Sequence, residues 1–427
     1  MMKNLFKKVI PLSAVLLIST MSCLSAFAED KNIVPVYNLK GGLKAEEAKP
    51  SILKGWVQGN YATGDWLGAR TKLEDKGIYL NTTYTIDAAT KTRGGIGNRR
   101  GSAGMYYGNS SILLDSEKMG LWKGGSACVN MQYLRGTNLS PSYIGDIQGY
   151  NNNGAPKYVM LHEYWLKQSL FKGQVEIKGG KQNANVEFMG LPSTANFMNL
   201  SFGVIANSKM PNSPNTALGI ATKYSPSKYV DLRYGMFDGD ARVGRSGFNT
   251  AFDKKGGSYH IAEITLKPEV KGHEGVYKFG GWYHTANATV IGQNNTYGGN
   301  EGIYLAATQN VFHEKGDKTQ GLDIFGQFGS APEDINQIDQ YYGFGARYKG
   351  LIPKRNQDET GVGTGIAHFS SRSKTLNNQT KETAVEVYHK IQLTPWLAIQ
   401  PDLQVIIRPN GNEKSTTVFG LRSIISF

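Results

Sequence analysis

From residue 78 to the last residue, apolar and polar positions alternate singly over short stretches separated by Gly, Asn, Asp and Pro. In "GIYLNTTYTIDAAT", Ile78, Leu80, Tyr84 and Ile86 oppose Tyr79, Asn81, Thr83 and Asp87. In "VYKFGGWYHTA", Tyr277, Phe279 and Tyr283 oppose Lys278, Trp282 and His284. "QYYGFGARYKG" sets Tyr342, Phe344, Ala346 and Tyr348 against Tyr341, Arg347 and Lys349, and "ETAVEVYHKIQL" sets Val385, Val387, Ile391 and Leu393 against Glu386, Tyr388, Lys390 and Gln392. A period of two predicts strands with one greasy and one wet face. The final segment, "VFGLRSIISF", has the same form: Phe419, Leu421, Ile425 and Phe427 share a face, with Ser423 the exception.

Two architectures have such faces: a soluble sheet on a core, and a transmembrane barrel with lipid outside and water inside. Charged residues in mid-strand favour the barrel, because a lipid-facing Arg costs ~2–4 kcal/mol at the midplane. Arg347, Glu386, Lys390 and Arg422 are therefore expected to line a lumen. Tyr283, Tyr348 and Trp396 end apolar faces, where interfacial girdles place amphipathic rings. The 52 glycines suit a closed, bending sheet. At roughly two dozen residues per strand, turn and loop, the predicted fold is all-β: a transmembrane antiparallel β-barrel of about sixteen strands. A short N-terminal periplasmic helix is expected in "GDWLGARTKLEDKG", with Asp65 as cap, Trp66, Leu67, Ala69 and Leu73 on its apolar side and Gly77 as terminator.

The opening "MMKNLFKKVIPLSAVLLISTMSCLSAFAED" places three lysines before an apolar stretch and a small-x-small site at Ala26 to Ala28. It reads as a signal peptide over 1–28, followed by a flexible leader over 29–60 and a barrel domain over 61–427. Removal of the signal takes the formal charge from +13 to 13 − 3 = +10 and leaves Cys128 as the one cysteine, so no disulfide framework is expected. Cys128 shares its face with Ser126, Asn130 and Gln132 and should point away from lipid. The basic charges recur singly along strands rather than on one helix, which argues against nucleic acid. No histidine pair has metal-ligand spacing and there is no G-x-S-x-G elbow, so neither an enzyme nor a metal or other cofactor is expected. Asp238 and Asp240, around Gly239, read as a plain turn.

"TGDWLGARTKLEDKGIYLNTTYT" resembles the opening of the carbohydrate-selective porin (OprB) family. "EYWLKQSLFKGQVEIKGGKQNANVEF", "SPNTALGIA", "GMFDGD", "YKFGGWYHT" and "YHKIQLTPWLAIQPDLQVIIRPNG" are similar to later family segments, in the same order over residues 63–427. The resemblance implies a sixteen-stranded outer-membrane barrel that lets monosaccharides diffuse inward, and a terminal aromatic, Phe427, recognised by the barrel-assembly machinery. Where the family pattern leads one to expect Arg and Asp, this chain has Lys181 and Gln182, and "NANVEFMGLPSTANFMNLSFG" is the expected constriction loop.

A sugar channel needs aromatic faces against pyranose rings and planar polar groups for hydroxyls. On the wet faces, Trp165 lies beside Glu163 and Lys167, Trp282 beside Lys278, Phe325 beside Asp323, and Tyr388 beside Glu386. With Lys181 these are the candidate substrate contacts. For each aromatic the bland alternative is packing beneath an inward-folded loop. The expected partners are neutral monosaccharides, outer-membrane lipid and the assembly machinery, with a homotrimer among the open oligomeric states. The competing functions are an anion-preferring general porin, which the positive charge favours, an outer-membrane lipid-modifying enzyme and a secreted lectin.

Overall fold

A computed structural model of the chain describes residues 56–241 and 256–427. The signal peptide and most of the 29–60 leader lie outside the described residues. Sixteen long strands follow in order: β1 Ile78–Lys91, β2 Gly101–Asp115, β3 Gly125–Gly136, β4 Tyr158–Leu170, β5 Val175–Gln182, β6 Ala217–Ser227, β7 Val230–Asp238, β8 Ser258–Leu266, β9 His273–His284, β10 Asn300–Glu314, β11 Asp317–Ser330, β12 Ile338–Lys349, β13 Glu359–Phe369, β14 Lys381–Thr394, β15 Leu397–Ile407 and β16 Thr416–Ser426. Each pairs antiparallel with its sequence neighbours. β16 then pairs with β1, from Thr83 opposite Ser426 to Lys91 opposite Val418, and closes the barrel.

The alternation sorts as the sequence predicts. Along β1, Tyr84 and Ile86 face outward while Thr85, Asp87 and Lys91 are buried inside. Phe279, Tyr283, Tyr342, Phe344, Val387, Phe419 and Leu421 form part of a wide exposed apolar exterior, which in a soluble protein would be an aggregation hazard and here is the lipid contact. Arg347, Glu386, Lys390 and Arg422 fall on the opposite face, and Cys128 is buried there with Asn130 and Gln132. Trp396 departs from the expected girdle: it is mostly buried, tilted against Trp56 at 4.7 Å between ring centroids.

The connections are short at one end, as at 228–229, 315–316 and 395–396, and long at the other. The short-turn end also carries the segment before β1, and in outer-membrane barrels the periplasmic turns are the short ones. There the predicted helix is α1, Ala69–Asp75, packed against β1. Asp65 serves as its anchor, accepting from Thr71 N–H and Oγ at 2.9 Å each. Trp66 and Leu67 are not on its apolar side, however. Both have left-handed backbone, and Leu67 is fully exposed. The side chain that docks the segment is Arg70. Its guanidinium lies 3.7 Å from the Tyr61 ring centre and 4.2 Å from that of Trp66, and donates to the Leu80 carbonyl at 2.5 Å. Cation–π contact and a hydrogen bond to a strand carbonyl replace the apolar packing that helical periodicity suggests.

Phe427 completes the seam. Its N–H donates to Thr82 of β1 at 2.8 Å and its ring meets Tyr84 edge-on at 5.6 Å. Phe427→Ala removes an edge-to-face pair worth about 1 kcal/mol; it is expected to lower the amount of folded barrel in outer-membrane fractions while periplasmic export continues at the normal rate. Phe344→Arg, at the middle of β12, is expected to destabilise the barrel by about 2–4 kcal/mol in urea titrations in vesicles, against about 0–1 for Tyr348→Arg near the strand end.

Candidate functional site

Two long loops at the end opposite α1 and Phe427 turn back into the barrel: L2 (137–157) between β3 and β4, and L3 (183–216) between β5 and β6. L3 is built from two short helical turns, α2 Ala184–Glu187 and α3 Leu200–Gly203, each started by an asparagine. Asn183 and Asn199 accept from the backbone N–H two residues on, at 3.1 Å, as N-caps do. Backbone polar groups inside a lumen still need partners, and the wall supplies them. Glu263 accepts from Met189 N–H at 2.7 Å, Glu359 from the Asn196 amide at 2.7 Å, and Glu386 from Met198 and Asn199 N–H at 2.5 and 2.8 Å. Tyr341 donates to Ser201 O and Tyr259 to Ser208 O.

Apolar packing completes the dock. Phe197 and Phe202 of L3 sit 4.5 Å apart between ring centres. Phe197 meets Tyr388 edge-on at 4.9 Å and Phe325 at 5.4 Å. The strands have been cleared for these rings. A Cβ on Gly361 would stand 2.2 Å from the Tyr388 ring, and one on Gly363 would stand 2.8 Å from Phe197. The period-two glycines of "ETGVGTGIAHF" were the available signal for this seat, since glycine within a strand marks close approach of another segment; the sequence reading gave the glycines close approach and bending of the sheet in general and did not single out this strand.

All ten candidate substrate contacts lie on the barrel wall, and L3 divides them. Trp282, Lys278, Phe325, Tyr388 and Glu386 are under or against the loop. Trp282 stacks on Tyr259 at 5.9 Å within a buried cluster that includes Met189 and Ile205 of L3. Lys278 pairs with Glu263 at 3.1 Å, and Tyr388 donates to Glu359 at 2.5 Å. Glu386 has no exposed surface, so it clamps the loop instead of lining water. Trp165 is also buried. Its indole N–H donates to Glu163 at 3.2 Å, and the Lys178 ammonium covers its ring at 4.4 Å. Lys181 reaches inward to the Leu161 carbonyl at 2.9 Å. Lys167 and Asp323 remain partly open. Parity identified the face correctly, whereas the cover over that face comes from residues far away in sequence.

The inner wall also carries a set of charge pairs, some buried and some, such as Lys223–Glu176 and Arg347–Asp323, partly exposed. On β5 to β8, Lys223 meets Glu176 at 2.7 Å, Lys178 meets Glu187 of L3 at 3.1 Å, and Asp231 holds Arg233 and Lys267 at 3.2 and 3.0 Å. On β11 to β14, Arg347 bridges Asp323 at 2.7 Å and Glu359 at 3.5 Å, while Lys390 donates to Asn196 at 3.2 Å. Asp87 and Arg422 form a bidentate pair across the seam, at 2.7 and 2.8 Å, joined by Asn151 and Asn152 of L2. Within L2, burial pushes the Asp146 carboxyl above the usual aspartate range.

A profile of the carbohydrate-selective porin, OprB family, matches residues 99–427. The chain belongs to the carbohydrate-selective porin (OprB) family. It is 28% identical over 398 residues to Porin B of Pseudomonas aeruginosa, covering 82% of this chain and 87% of that protein. Among solved structures it is similar to the high-pH structure of Pseudomonas putida OprB, with a TM-score of 0.80 and 25% identity over 87% of this chain and 99% of that one. The low-pH structure of the same porin aligns over the same shares at a TM-score of 0.61 and 22% identity. Family and fold together place the protein in the outer membrane of a Gram-negative envelope.

In this porin the Arg347 bridge sets the local field, because it alone stands between Asp323 and Glu359 in the pairs just described. Arg347→Gln leaves both carboxylates facing the lumen, and reversal potentials in a salt gradient are expected to shift toward cation preference; an unchanged reversal potential would place the bridge outside the ion path.

Proposed function

We propose that this OprB-family porin passes neutral monosaccharides of the glucose type by diffusion, through a water-filled lumen with weak sugar-binding contacts. The observation that carries this reading is the pairing of lumen charges. Each of Lys178, Lys223, Lys278, Arg347 and Arg422 has a carboxylate within 3.1 Å. Such pairs hold little attraction for a free anion, and the partly exposed ones, Lys223–Glu176 and Arg347–Asp323, offer donors and acceptors that suit vicinal hydroxyls. Binding of this kind stays weak enough to release cargo, as conduction requires.

The contacts we assign to sugar are the polar groups at the edge of L3: Asp323, Arg347, Glu359, Lys390 and Asn196. Lys167 belongs to the same class on the opposite stretch of wall. Phe325, Tyr388, Trp282 and Trp165 support the reading indirectly, by holding the polar groups and the loop in place, so hydrogen bonding rather than ring stacking dominates recognition. A general anion-preferring porin is the second reading, and the excess of basic residues, 47 against 34 acidic, is what favours it.

The test is planar-bilayer conductance of the folded protein titrated with glucose and other neutral sugars. Saturable block of the ion current, weakened by Asp323→Asn, is the expected result. An anion-selective current with no sugar block would move the function to a general porin.

A further inference from the structure

Three side chains on two adjacent strands hold both inward-folded loops. Glu382 and Glu386 lie on the lumen face of β14, and Gln404 of β15 sits directly opposite Glu386. All three are fully buried. Glu382 takes the consecutive N–H groups of Ile147 and Gln148 in L2, at 2.8 and 2.9 Å. Glu386 takes the consecutive N–H groups of Met198 and Asn199 in L3. Gln404 serves both loops at once: its oxygen accepts from the Asn199 amide at 3.3 Å, and its nitrogen donates to Tyr150 O at 2.8 Å. The loops are also joined directly, through Asn152 N–H to Met198 O at 2.7 Å and Leu200 N–H to Gly149 O at 2.9 Å.

From this arrangement we infer that Glu382, Glu386 and Gln404 are positioning residues that lock L2 and L3 into one unit and thereby set the size limit of the channel. Each carboxylate accepts two adjacent backbone N–H groups with its two oxygens, so it fixes the loop's direction as well as its distance from the wall. The i, i+4 spacing on one strand puts the two anchor points on the same face. Movement of either loop away from the wall then strains the contacts of the other. Widening the pore requires both to leave together.

Glu→Gln is the informative change, because the amide keeps the shape but turns an NH2 toward one of the two N–H donors. The readouts are single-channel conductance in salt and the exclusion limit in liposome swelling with a glucose-to-oligosaccharide series. Heat-modifiable migration and circular dichroism report whether the barrel itself is folded. E382Q and E386Q are each expected to raise conductance and to shift the limit from monosaccharides to oligosaccharides in a folded barrel. In a double-mutant cycle their effects should be non-additive, and the coupling should shrink, without vanishing, with Gln404→Ala, because Asn152–Met198 and Leu200–Gly149 still join the loops. Asn199→Ala, made on the loop side, gives the same direction of change and stands in if a wall variant does not fold. Unchanged conductance and exclusion limit in folded variants would overturn the inference, as would additive effects in the presence of Gln404. Ion conductance needs no sugar recognition, so failure here is separable from failure of the monosaccharide reading.

Discussion

Closure of the sheet is the constraint on which everything else rests. Inside hydrocarbon an unpaired N–H or C=O costs several kcal/mol, so a strand in lipid must be bonded on both edges. The β1–β16 seam satisfies this over nine residue pairs, from Thr83–Ser426 to Lys91–Val418. Once the backbone is satisfied, the exterior has only to be apolar, which a period-two pattern supplies without tight packing. The interior carries no such obligation and is free to be polar. Asp87 and Arg422 use that freedom at the seam itself: the cross-strand pair that helps close the barrel also binds Asn151 and Asn152 of L2.

A sixteen-stranded barrel left empty is wide, and the inner surface solves the narrowing with a second fold inside the first. L3 has no sheet of its own. Backbone N–H groups of L3 are taken by Glu263 and Glu386, and its rings Phe197 and Phe202 pack over Gly363 of β13. The loop therefore behaves as a docked ligand that happens to be covalently attached, with desolvated carboxylates as its anchors. Buried carboxylates are costly unless fully hydrogen-bonded, and each of these has at least two donors. The docking of L3 thus rests on contacts with wall residues far away in sequence, as for Met189 with Glu263, 74 residues on, and Asn196 with Glu359 and Gln400, 163 and 204 residues on.

That distance explains what the sequence could and could not reveal. Alternation in "QYYGFGARYKG" settles which face Arg347 is on, because the pleat allows only two, and Leu421 and Phe419 are legible as lipid contacts for the same reason. Composition and motif order made the fold class readable. Whether Tyr388 touches water or Phe197 is a different kind of question, since nothing within its own strand encodes the cover. Trp66 and Leu67 illustrate a second limit. They satisfy helical periodicity, yet Arg70 stacked between Tyr61 and Trp66 fixes the segment, an interaction with no periodic signature. Gln404 was passed over because a lone glutamine on a strand looks like any wet-face residue until both loops are seen to meet on it.

The same strands hold the groups assigned to solute and the groups that hold the loop, one or two positions apart. On β14, Glu386 binds L3, Tyr388 packs beneath it and Lys390 reaches the Asn196 amide at its edge. On β13, Glu359 serves Arg347, Tyr388 and Asn196 together. Specificity and pore width are consequently not independent in this architecture. A substitution that alters the charge presented to a passing solute also alters a contact that positions the constriction. Changing solute preference while keeping the size limit calls for substitutions in pairs across neighbouring strands, with one member replacing the lost loop contact. Positions such as Lys223 and Glu176, which pair with each other across β5 and β6, lie outside that coupling and leave the field at the wall adjustable without moving the loop.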